Sequence, residues 1–259
     1  MEYRRYEPAS SVSGLVEHYW SVRSPAPPAP VRAVLVPNGR ATMQFCLGVP
    51  GRRLAPGAGA RRNADVYLPV GVEPLVIEQE DASHYVGIQF TPWGARALFP
   101  AATESPAQIE EVAGPLPDST ALAADPAREL DRWLVPFLPA RSGVAPLLAA
   151  VTERIDSDPS GIDVGDLPGV YACSASTLYR AFRHGVGLTP KQYIQVMRHR
   201  GFTDRLLSGS GGEPMALLAA LSGYADQSHA SHDFTRFTGM TVTAFRDTYD
   251  GVARLMAQR

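Results

Sequence analysis

The chain has little of what disulfide-bonded and metal-dependent proteins rely on. It contains two cysteines among 259 residues, and the isolated positions of Cys46 and Cys173 provide neither a disulfide framework nor the paired spacing of a zinc finger. Two of the six histidines precede residue 140, and they lie far apart as His18 and His84. Because a catalytic metal requires several ligands held close together, we predict no metal site, no cofactor and no enzymatic activity.

Long apolar runs and an apolar leader are missing as well. No segment approaches the ~20 apolar residues that span a bilayer, and Met1–Tyr6 is charged and polar. These features predict a cytoplasmic protein with no membrane partner. Lysine is almost absent, since Lys191 is accompanied by 23 arginines. Together with abundant alanine, proline and glycine, this composition indicates a bacterial source of high GC content.

The overall charge differs from that of a strongly basic nucleic-acid-binding protein. The net charge is −2 with a pI near 6.3, and residues 144–259 contain 11 basic and 11 acidic residues. Within Leu178–Leu206, however, six bases accompany a single acid. These bases are Arg180, Arg183, Lys191, Arg198, Arg200 and Arg205. Because DNA affinity depends on a local patch more than on total charge, we expect modest nonspecific affinity and help from a second subunit or partner.

The C-terminal half contains two helix-turn-helix patterns in tandem. The first reads SASTLYRAFRHGVGLTPKQY over residues 174–193. Ser174 is a suitable N-cap, and apolar residues at helical spacing predict a helix over Ala175–His184. The apolar positions are Leu178, Ala181 and Phe182. Gly185 and Gly187 then end this helix, and Thr189 followed by Pro190 is typical of the start of the next one.

The second pattern covers residues 216–241 and repeats the same plan. Its predicted helices, including the one that follows, are Pro214–Leu221, Gln227–Phe237 and Ala244–Tyr249. Gly223 makes the turn, Asp226 is the cap of the second helix, and Gly239 ends it. The repetition argues against the alternative that each unit is an ordinary solvated helix.

Polar residues on the second helix of each unit suit the reading of DNA. A recognition helix needs an apolar back that docks it and polar N-terminal residues that reach base edges in the major groove. Arg180 is the sharpest candidate for base readout, because arginine can bridge two acceptors of guanine. Gln227 can bridge adenine, and Ser228 can bond either kind of base. The residues expected to contact phosphates are Arg183, His184, Thr189, Lys191 and Arg236.

Many residue types of the two units stand in one register. The first unit contributes Ser174, Leu178, Arg180, Phe182, Gly187, Thr189, Pro190, Tyr193, Arg198, Leu206 and Leu207. The second contributes Ala219, Gly223, Tyr224, Asp226, Gln227, Ser228, His229, Phe234, Gly239 and Thr241. On these residues, the segment from about Val151 to Tyr249 resembles the DNA-binding domain of the AraC/XylS family of bacterial transcription regulators, and the match is more specific than one short motif.

The resemblance implies a binding geometry. Two helix-turn-helix units, joined by a long helix over about Pro190–Leu207, enter adjacent major grooves on one side of double-stranded DNA. Carried over position by position, the base-contacting residues are Ser176, Tyr179, Arg180, Gln227, Ser228, Ser231 and His232. Contact with RNA polymerase is a further expected interaction.

Several positions depart from the family pattern. Pro168 lies inside the first helix of the first unit, where proline costs about 3 kcal/mol unless it sits at the helix start; we therefore expect this helix to begin or bend there. Ala230 replaces a bulky apolar residue, which predicts loose docking of the second recognition helix. His232 replaces a common arginine, and Val242 replaces the usual proline.

The N-terminal half reads as short strands separated by proline and glycine. The predicted strands are Leu15–Arg23, Val31–Val36, Ala41–Leu47, Val66–Gly71 and His84–Thr91. Gly48–Ala64 is predicted to be a loop at a hairpin tip, and Trp93–Phe99 and Pro126–Phe137 are predicted helices. Short strands with little helix favour a β-sandwich or open barrel.

Two segments of this half, VLVPNGRATMQFCLG and YVGIQFTPWGARALF, resemble the N-terminal sensing domain of some AraC-type regulators. That resemblance implies a β-rich, cupin-like fold that binds a small effector or mediates dimerisation. Tyr19, Trp20 and Phe45 are candidate walls of an effector pocket, and the alternative for each is a plain core role.

The sequence thus predicts an α+β chain of two domains. Residues 1–140 form a β-rich, cupin-like sandwich or barrel for effector sensing or dimerisation, and residues 144–259 form an all-α DNA-binding domain. The predicted function is a sequence-specific DNA-binding transcription regulator, controlled by a small effector and acting as a homodimer. One alternative is a cupin-like small-molecule-binding protein or enzyme with a degenerate helical tail. Another is a constitutive regulator whose N-terminal half only dimerises.

Overall fold

The fold divides into two compact units. A computed structural model describes residues 1–55, 59–139, 146–208 and 213–248. The first unit comprises Met1–Ala33, Arg40–Val70 and Leu75–Val144, and the second comprises Val34–Gly39, Gly71–Pro74 and Ala145–Arg259. The predicted boundary at residues 140–144 lies outside the described residues and stays a prediction.

The N-terminal part is built from short strands. In chain order they are β1 (Glu2–Tyr6), β2 (Val16–Ser24), β3 (Val31–Leu35), β4 (Thr42–Cys46), β5 (Arg52–Ala55), β6 (Gly59–Arg62), β7 (Val66–Leu68), β8 (Leu75–Gln79), β9 (Ser83–Phe90) and β10 (Ala107–Gln108). Among the described residues, one sheet has the order β1-β2-β9-β4-β7-β10 and the other the order β3-β8-β5-β6. The register recorded between neighbouring strands is antiparallel.

The larger sheet buries one face against helices. These helices are α1 (Gly94–Leu98), α2 (Ile109–Ala113), α3 (Ser119–Ala124) and α4 (Pro126–Leu134), and a 3₁₀ turn follows at Val135–Phe137. Tyr19 lies opposite Ile88, and Phe45 opposite Val86, so alternate residues of these strands share the buried face. The Tyr19 hydroxyl donates to Asp131 of α4 at 2.7 Å, and the Phe45 ring meets Trp133 edge-on at 5.5 Å.

The sequence pattern located some strands and missed others. All five predicted strands are present, with slightly different ends. The loop prediction for Gly48–Ala64 was wrong in part, because β5 and β6 pair there as a hairpin; its tip, residues 56–58, lies outside the described residues. β6 is exposed throughout and lacks the apolar alternation that reveals a half-buried strand. β1, β8 and β10 were also missed.

The C-terminal part is helical, and its helices follow the predicted order. They are α5 (Pro146–Ser157), α6 (Leu167–Val170), α7 (Ala175–Gly185), α8 (Pro190–Ser208), α9 (Met215–Leu221), α10 (Gln227–Thr238) and α11 (Val242–Thr248). Pro168 stands in the first turn of α6, which confirms that this helix begins there. Gly185 is the last residue of α7 rather than a break behind it, while Gly187 has the positive φ of +96° that ends the turn. Tyr249 lies outside the described residues.

The described residues therefore combine antiparallel sheets in the N-terminal part with an all-helical C-terminal part. Within the helical part, the long helix α8 stands between the two helix-turn-helix units. The predicted α+β, two-domain fold class is confirmed.

Candidate nucleic-acid interface

The first helix-turn-helix consists of α6 and α7, and an apolar back fixes α7 in place. The Ser174 hydroxyl accepts from the Thr177 amide at 3.0 Å, so the N-cap forms as predicted. Leu178 and Phe182 are buried, and the Phe182 ring meets Tyr193 of α8 edge-on at 5.7 Å. A Cβ on Gly185 would lie 2.2 Å from the Leu148 side chain. That contact explains why glycine fits at a helical position where it lowers helix propensity.

The opposite side of α7 is open to solvent. Ser176, Arg180 and His184 are exposed, and Tyr179 retains 50 % of its accessible surface. No acid occurs in α7. The predicted base-contacting residues of this unit therefore lie on one accessible, positively charged face.

The residues predicted to contact phosphate are placed less uniformly. Arg183 is half-buried, and its Nη1 donates to the Gly187 carbonyl at 2.8 Å, which ties the side chain partly to its own turn. The Thr189 hydroxyl accepts from the Gln192 amide, and Gln192 Oε1 accepts from the Thr189 amide. This reciprocal capping box begins α8 and commits the Thr189 hydroxyl. Lys191 is exposed beside it.

The second helix-turn-helix consists of α9 and α10. Gly223 makes the turn with φ +79°, and a Cβ there would lie 2.4 Å from the Ser160 carbonyl oxygen, so only glycine fits. Asp226 caps α10 by accepting from the His229 amide at 2.7 Å. Ala230 is completely buried, and the Phe234 ring packs behind it against other aromatic rings. Those rings are His199, Phe202 and Phe245.

The outer side of α10 is polar but carries little charge. Gln227, Ser228 and His232 are exposed, and Ser231 is half-buried. Arg236 lies over the Phe237 ring at 5.0 Å, with its Nη1 3.9 Å from Asp233. This acid also lies 3.9 Å from His229. The second unit therefore presents hydrogen-bonding groups to solvent with a nearly balanced charge.

The two units correspond residue by residue when Ser174 is set beside Asp226. Buried Leu178 and Phe182 then fall beside Ala230 and Phe234. Other matched pairs are Ser176 with Ser228, Tyr179 with Ser231, Arg180 with His232, Arg183 with Thr235, and Gly187 with Gly239. Both of these glycines have positive φ, and Thr241 caps α11 as Thr189 caps α8. The correspondence brings the predicted base-contacting residues to equivalent positions, except Gln227, which falls beside Ala175.

This correspondence also reveals a further candidate for DNA contact, Thr235, which the sequence analysis missed. Thr235 is exposed on α10, one turn beyond Ser231 and on the side of the helix that carries Ser228. Helical spacing of i, i+3 and i+7 from Ser228 was the signal for it.

The basic patch predicted along residues 178–206 is smaller than the sequence count indicates. Arg198 donates to the carbonyls of Pro159 and Ile162 at 2.9 and 2.8 Å, so it holds the segment after α5. Arg205 donates to the Gly201 carbonyl at 3.0 Å, and Arg200 lies 3.9 Å from Asp204. These three cations stabilise the domain. Among the six bases, Arg180, Lys191 and Arg205 are exposed, and Arg205 is the one of these three that bonds to its own helix.

In the N-terminal part of the chain, the three residues predicted to line one effector pocket do not lie on one face. Tyr19 and Phe45 belong to the buried cluster under the helices, whereas Trp20 lies on the other face of β2, opposite Gly87. The three side chains therefore do not form one wall, because successive residues of a strand point to opposite faces.

Two surface clefts of the N-terminal part are lined by other residues. One cleft of about 540 Å³ is lined by Met1, Glu2, Arg23, Ser24, Pro25, Ser83 and His84. A second, of about 220 Å³, lies between the β1–β2 edge and the α3–α4 corner. Across the described part of the chain, no group of three His, Cys, Asp or Glu side chains is placed to hold a metal ion, and no helix there is long and apolar enough to cross a membrane.

Comparison with known proteins supports the assignment of the helical part. A family model described as "Helix-turn-helix domain" matches residues 169–248, and one described as "Domain of unknown function (DUF6597)" matches residues 4–107. The probable transcriptional regulator LumQ of Photobacterium leiognathi is 33 % identical over 85 residues, which cover 33 % of this chain and 34 % of that protein. The match thus spans about a third of the curated relative.

Solved structures show the fold over nearly the whole chain. ToxT from Vibrio cholerae aligns with a TM-score of 0.53 at 9 % identity, covering 90 % of this chain and 98 % of that one. ToxT of V. cholerae O395 bound to (E)-4-(8-methylnaphthalen-1-yl)but-3-enoic acid aligns with a TM-score of 0.51 at 10 % identity, covering 96 % and 99 %. At such identities the likeness concerns the fold alone.

The fold and the paired units define a protein that joins a β-rich domain to a tandem helix-turn-helix domain. Residues 169–248 form a helix-turn-helix domain of the AraC type.

Proposed function

We propose that this protein is a sequence-specific regulator of transcription that binds double-stranded DNA through α7 and α10. The observation that carries this proposal is the matched geometry of two capped helices, each docked by a buried aromatic residue and each presenting polar side chains to solvent. Two such helices on one domain fit successive major-groove surfaces of a duplex.

The proposed contacts differ between the helices. Arg180 donates to both acceptors of a guanine, while Ser176 and Tyr179 contact neighbouring bases. On α10, Gln227 bridges an adenine, and Ser228, Ser231 and His232 donate or accept single hydrogen bonds. Phosphates are contacted by Lys191, His184 and Arg236. Arg183 and Thr189 contact phosphate through the donor groups that are not used in their internal hydrogen bonds.

Control by a small effector is the second part of the proposal. The N-terminal part, residues 1–140, acts as a sensing or dimerising domain, and residues 144–259 act as the DNA-binding domain. The fold of the chain is similar to that of ToxT, and one ToxT structure contains a bound organic acid. An effector that favours one arrangement of the domains would shift DNA affinity or contact with RNA polymerase.

A homodimer in the cytoplasm completes the proposal. The C-terminal domain has little net charge, and three bases of its basic patch bond to or pair with groups of the same domain. A second subunit doubles the phosphate contacts and thereby supplies the affinity that one domain lacks. We infer no catalytic step for this chain.

Fluorescence anisotropy tests the proposal directly. The purified protein is titrated onto DNA from its own upstream region, with excess nonspecific competitor and at two salt concentrations. We expect saturable binding that resists competitor and weakens steeply with salt, because phosphate contacts release counterions. Binding that competitor abolishes, in the presence and absence of candidate effectors, would contradict sequence-specific recognition.

A further inference from the structure

Three buried nitrogen donors of the N-terminal part lack a hydrogen-bond acceptor among the described residues. They are Trp20 Nε1, Arg53 Nε and Gln89 Nε2. The three residues retain 4 %, 6 % and 8 % of their accessible surface. Buried polar groups of folded proteins are hydrogen-bonded with few exceptions, so these three donors indicate a partner that supplies acceptor atoms.

Trp20 and Gln89 share one face of the larger sheet. Trp20 of β2 lies opposite Gly87 of β9, and a Cβ on Gly87 would lie 2.2 Å from the indole ring. The indole therefore covers Gly87 on the face toward which a side chain there would point. Gln89 follows two residues later in β9 and shares that face. Its Oε1 accepts from the Thr42 hydroxyl at 3.3 Å, which leaves Nε2 as the unused donor.

The same face is turned toward the smaller sheet, where Arg53 lies. Tyr85, two residues before Gly87, accepts from the Gly51 amide at 2.8 Å and donates to the Asn63 carbonyl at 3.2 Å. Gln79 Oε1 lies 3.4 Å from the Tyr85 hydroxyl, and a Cβ on Gly51 would meet that Oε1 atom. Arg53 follows Gly51 by two residues, so its side chain points into the same space between the sheets.

The charge of Arg53 is not balanced within the described part of the chain. It forms no ion pair with a described carboxylate, and burial together with the nearby Arg61 lowers the pKa of its guanidinium. The neighbouring Arg52, on the opposite face of β5, pairs with Glu78 and Glu80. A buried guanidinium without a counter-charge is unfavourable, and a bound anion removes that penalty.

We propose that the space between the two sheets binds the carboxylate group of a small organic molecule through Arg53, Trp20 and Gln89. A carboxylate supplies acceptors only, and its planar pair of oxygens matches the fork of a guanidinium group. The indole and amide nitrogens donate to the remaining acceptor positions. This inference rests on the proposed function, because the molecule bound here would be the effector of the regulator.

Thermal unfolding of the full-length protein tests the site with defined probes. Hexanoate and benzoate are each compared with their uncharged amides, hexanamide and benzamide, at equal concentration and pH 7.5. We expect at least one acid to raise Tm by ~3 °C or more and its amide by less than ~1 °C, because a ligand that binds only the folded state stabilises it.

Two neighbouring arginine variants make the test specific. Arg53→Met is expected to abolish the response to the acids. It should leave the Tm without ligand unchanged or higher, because it removes an unpaired buried cation. Arg52→Met is the matched control on the other face of β5, and it should keep the response to the acids.

Four outcomes would overturn the inference. They are equal stabilisation by acid and amide, no stabilisation by either acid, a retained response in Arg53→Met, and a Tm several degrees lower in that variant without ligand. DNA binding by the same wild-type preparation separates this inference from the proposed function. Intact DNA binding without a carboxylate response contradicts the site alone, whereas a carboxylate response without DNA binding contradicts the regulator alone.

Discussion

Helices α7 and α10 share a backbone plan but differ in where their stabilising and reactive groups lie. Each begins at a side-chain N-cap and ends before a glycine of positive φ. α7 carries two arginines and no acid, and the ring contact found for it among the described residues is the pair of Phe182 and Tyr193. α10 carries a buried acid, Asp233, and an aromatic cluster around Phe234.

The difference indicates that the two helix-turn-helix units contribute differently to DNA binding and to the stability of the domain. Under the proposed function, the exposed Arg180 on α7 is the strong donor for guanine. The aromatic cluster behind α10 fixes a helix whose exposed groups form weaker, neutral hydrogen bonds. We therefore expect α7 to dominate DNA affinity and α10 to dominate the stability of the domain.

The largest expected effect comes from removing the central aromatic side chain of each helix. Phe234→Ala should destabilise the C-terminal domain by about 4–5 kcal/mol and Phe182→Ala by about 3 kcal/mol, since the cavity left at Phe234 loses more ring contacts. Urea denaturation followed by circular dichroism at 222 nm measures both. Thr235→Ala, on the exposed side of α10, is the control with little effect. A larger loss for Phe182→Ala would break the comparison.

Acid should act mainly through the second unit. Burial lowers the pKa of His199 to about 3, and its ring stacks on Phe237 of α10. In the unfolded chain this histidine binds a proton below its ordinary pKa of 6.5, while in the folded chain it stays neutral down to about pH 3. Stability is therefore fully present above pH 6.5 and should fall by about 1.4 kcal/mol per pH unit below it.

His199→Phe separates this contribution from other acid effects. Urea denaturation between pH 4 and pH 8 should show a shallower slope in the variant, whereas His232→Gln, at an exposed position, should keep the wild-type slope. An unchanged slope in His199→Phe would show that other groups cause the acid destabilisation.

For base discrimination, substitutions on α7 should cost more than equivalent substitutions on α10, which is the reverse of their order for stability. Arg180→Ala should cost about 1–3 kcal/mol of discrimination at one or two base pairs. The equivalent His232→Ala should cost less than ~1 kcal/mol, the value of one neutral hydrogen bond. Anisotropy titrations on matched and base-substituted duplexes measure both. Lys191→Ala is the control, and it should weaken all duplexes alike and reduce the salt dependence.

Removal of the N-caps should have the smallest effect on stability, and that effect should be nearly equal in the two helices. Ser174→Ala and Asp226→Ala should each cost about 1 kcal/mol, because each leaves one amide of the first turn without an acceptor. Asp226→Asn keeps an acceptor oxygen and should cost less. A negligible loss at either cap in urea denaturation would show that the corresponding helix start is held by tertiary packing instead.

The helical part was largely predictable from local signals. Caps, turn glycines and 3.6-residue apolar spacing are short-range features, so Ser174, Asp226, Gly223 and Gly239 marked their elements in the sequence. The engagement of Arg198 was not predictable, because its partners lie in a distant loop and its exposure depends on tertiary packing. For the same reason, a count of bases overestimated the positive surface.

The β-rich part shows where sequence reasoning stops. β6 is polar and exposed, so its pairing with β5 left no periodic signal. Tyr19 and Trp20 are adjacent aromatic residues, and the pattern alone did not show which of them faces the helices and which faces the second sheet. The unpaired donors of Arg53 and Gln89 emerge only when the two sheets are placed face to face.

Selection of bound sequences from a library of randomised duplexes tests the central claim most directly. The wild-type protein should enrich a defined sequence that contains a guanine, and Arg180→Ala should lose the preference for that guanine while the other positions remain. Enrichment of no sequence by the wild type, or an unchanged preference in Arg180→Ala, would contradict base recognition by α7.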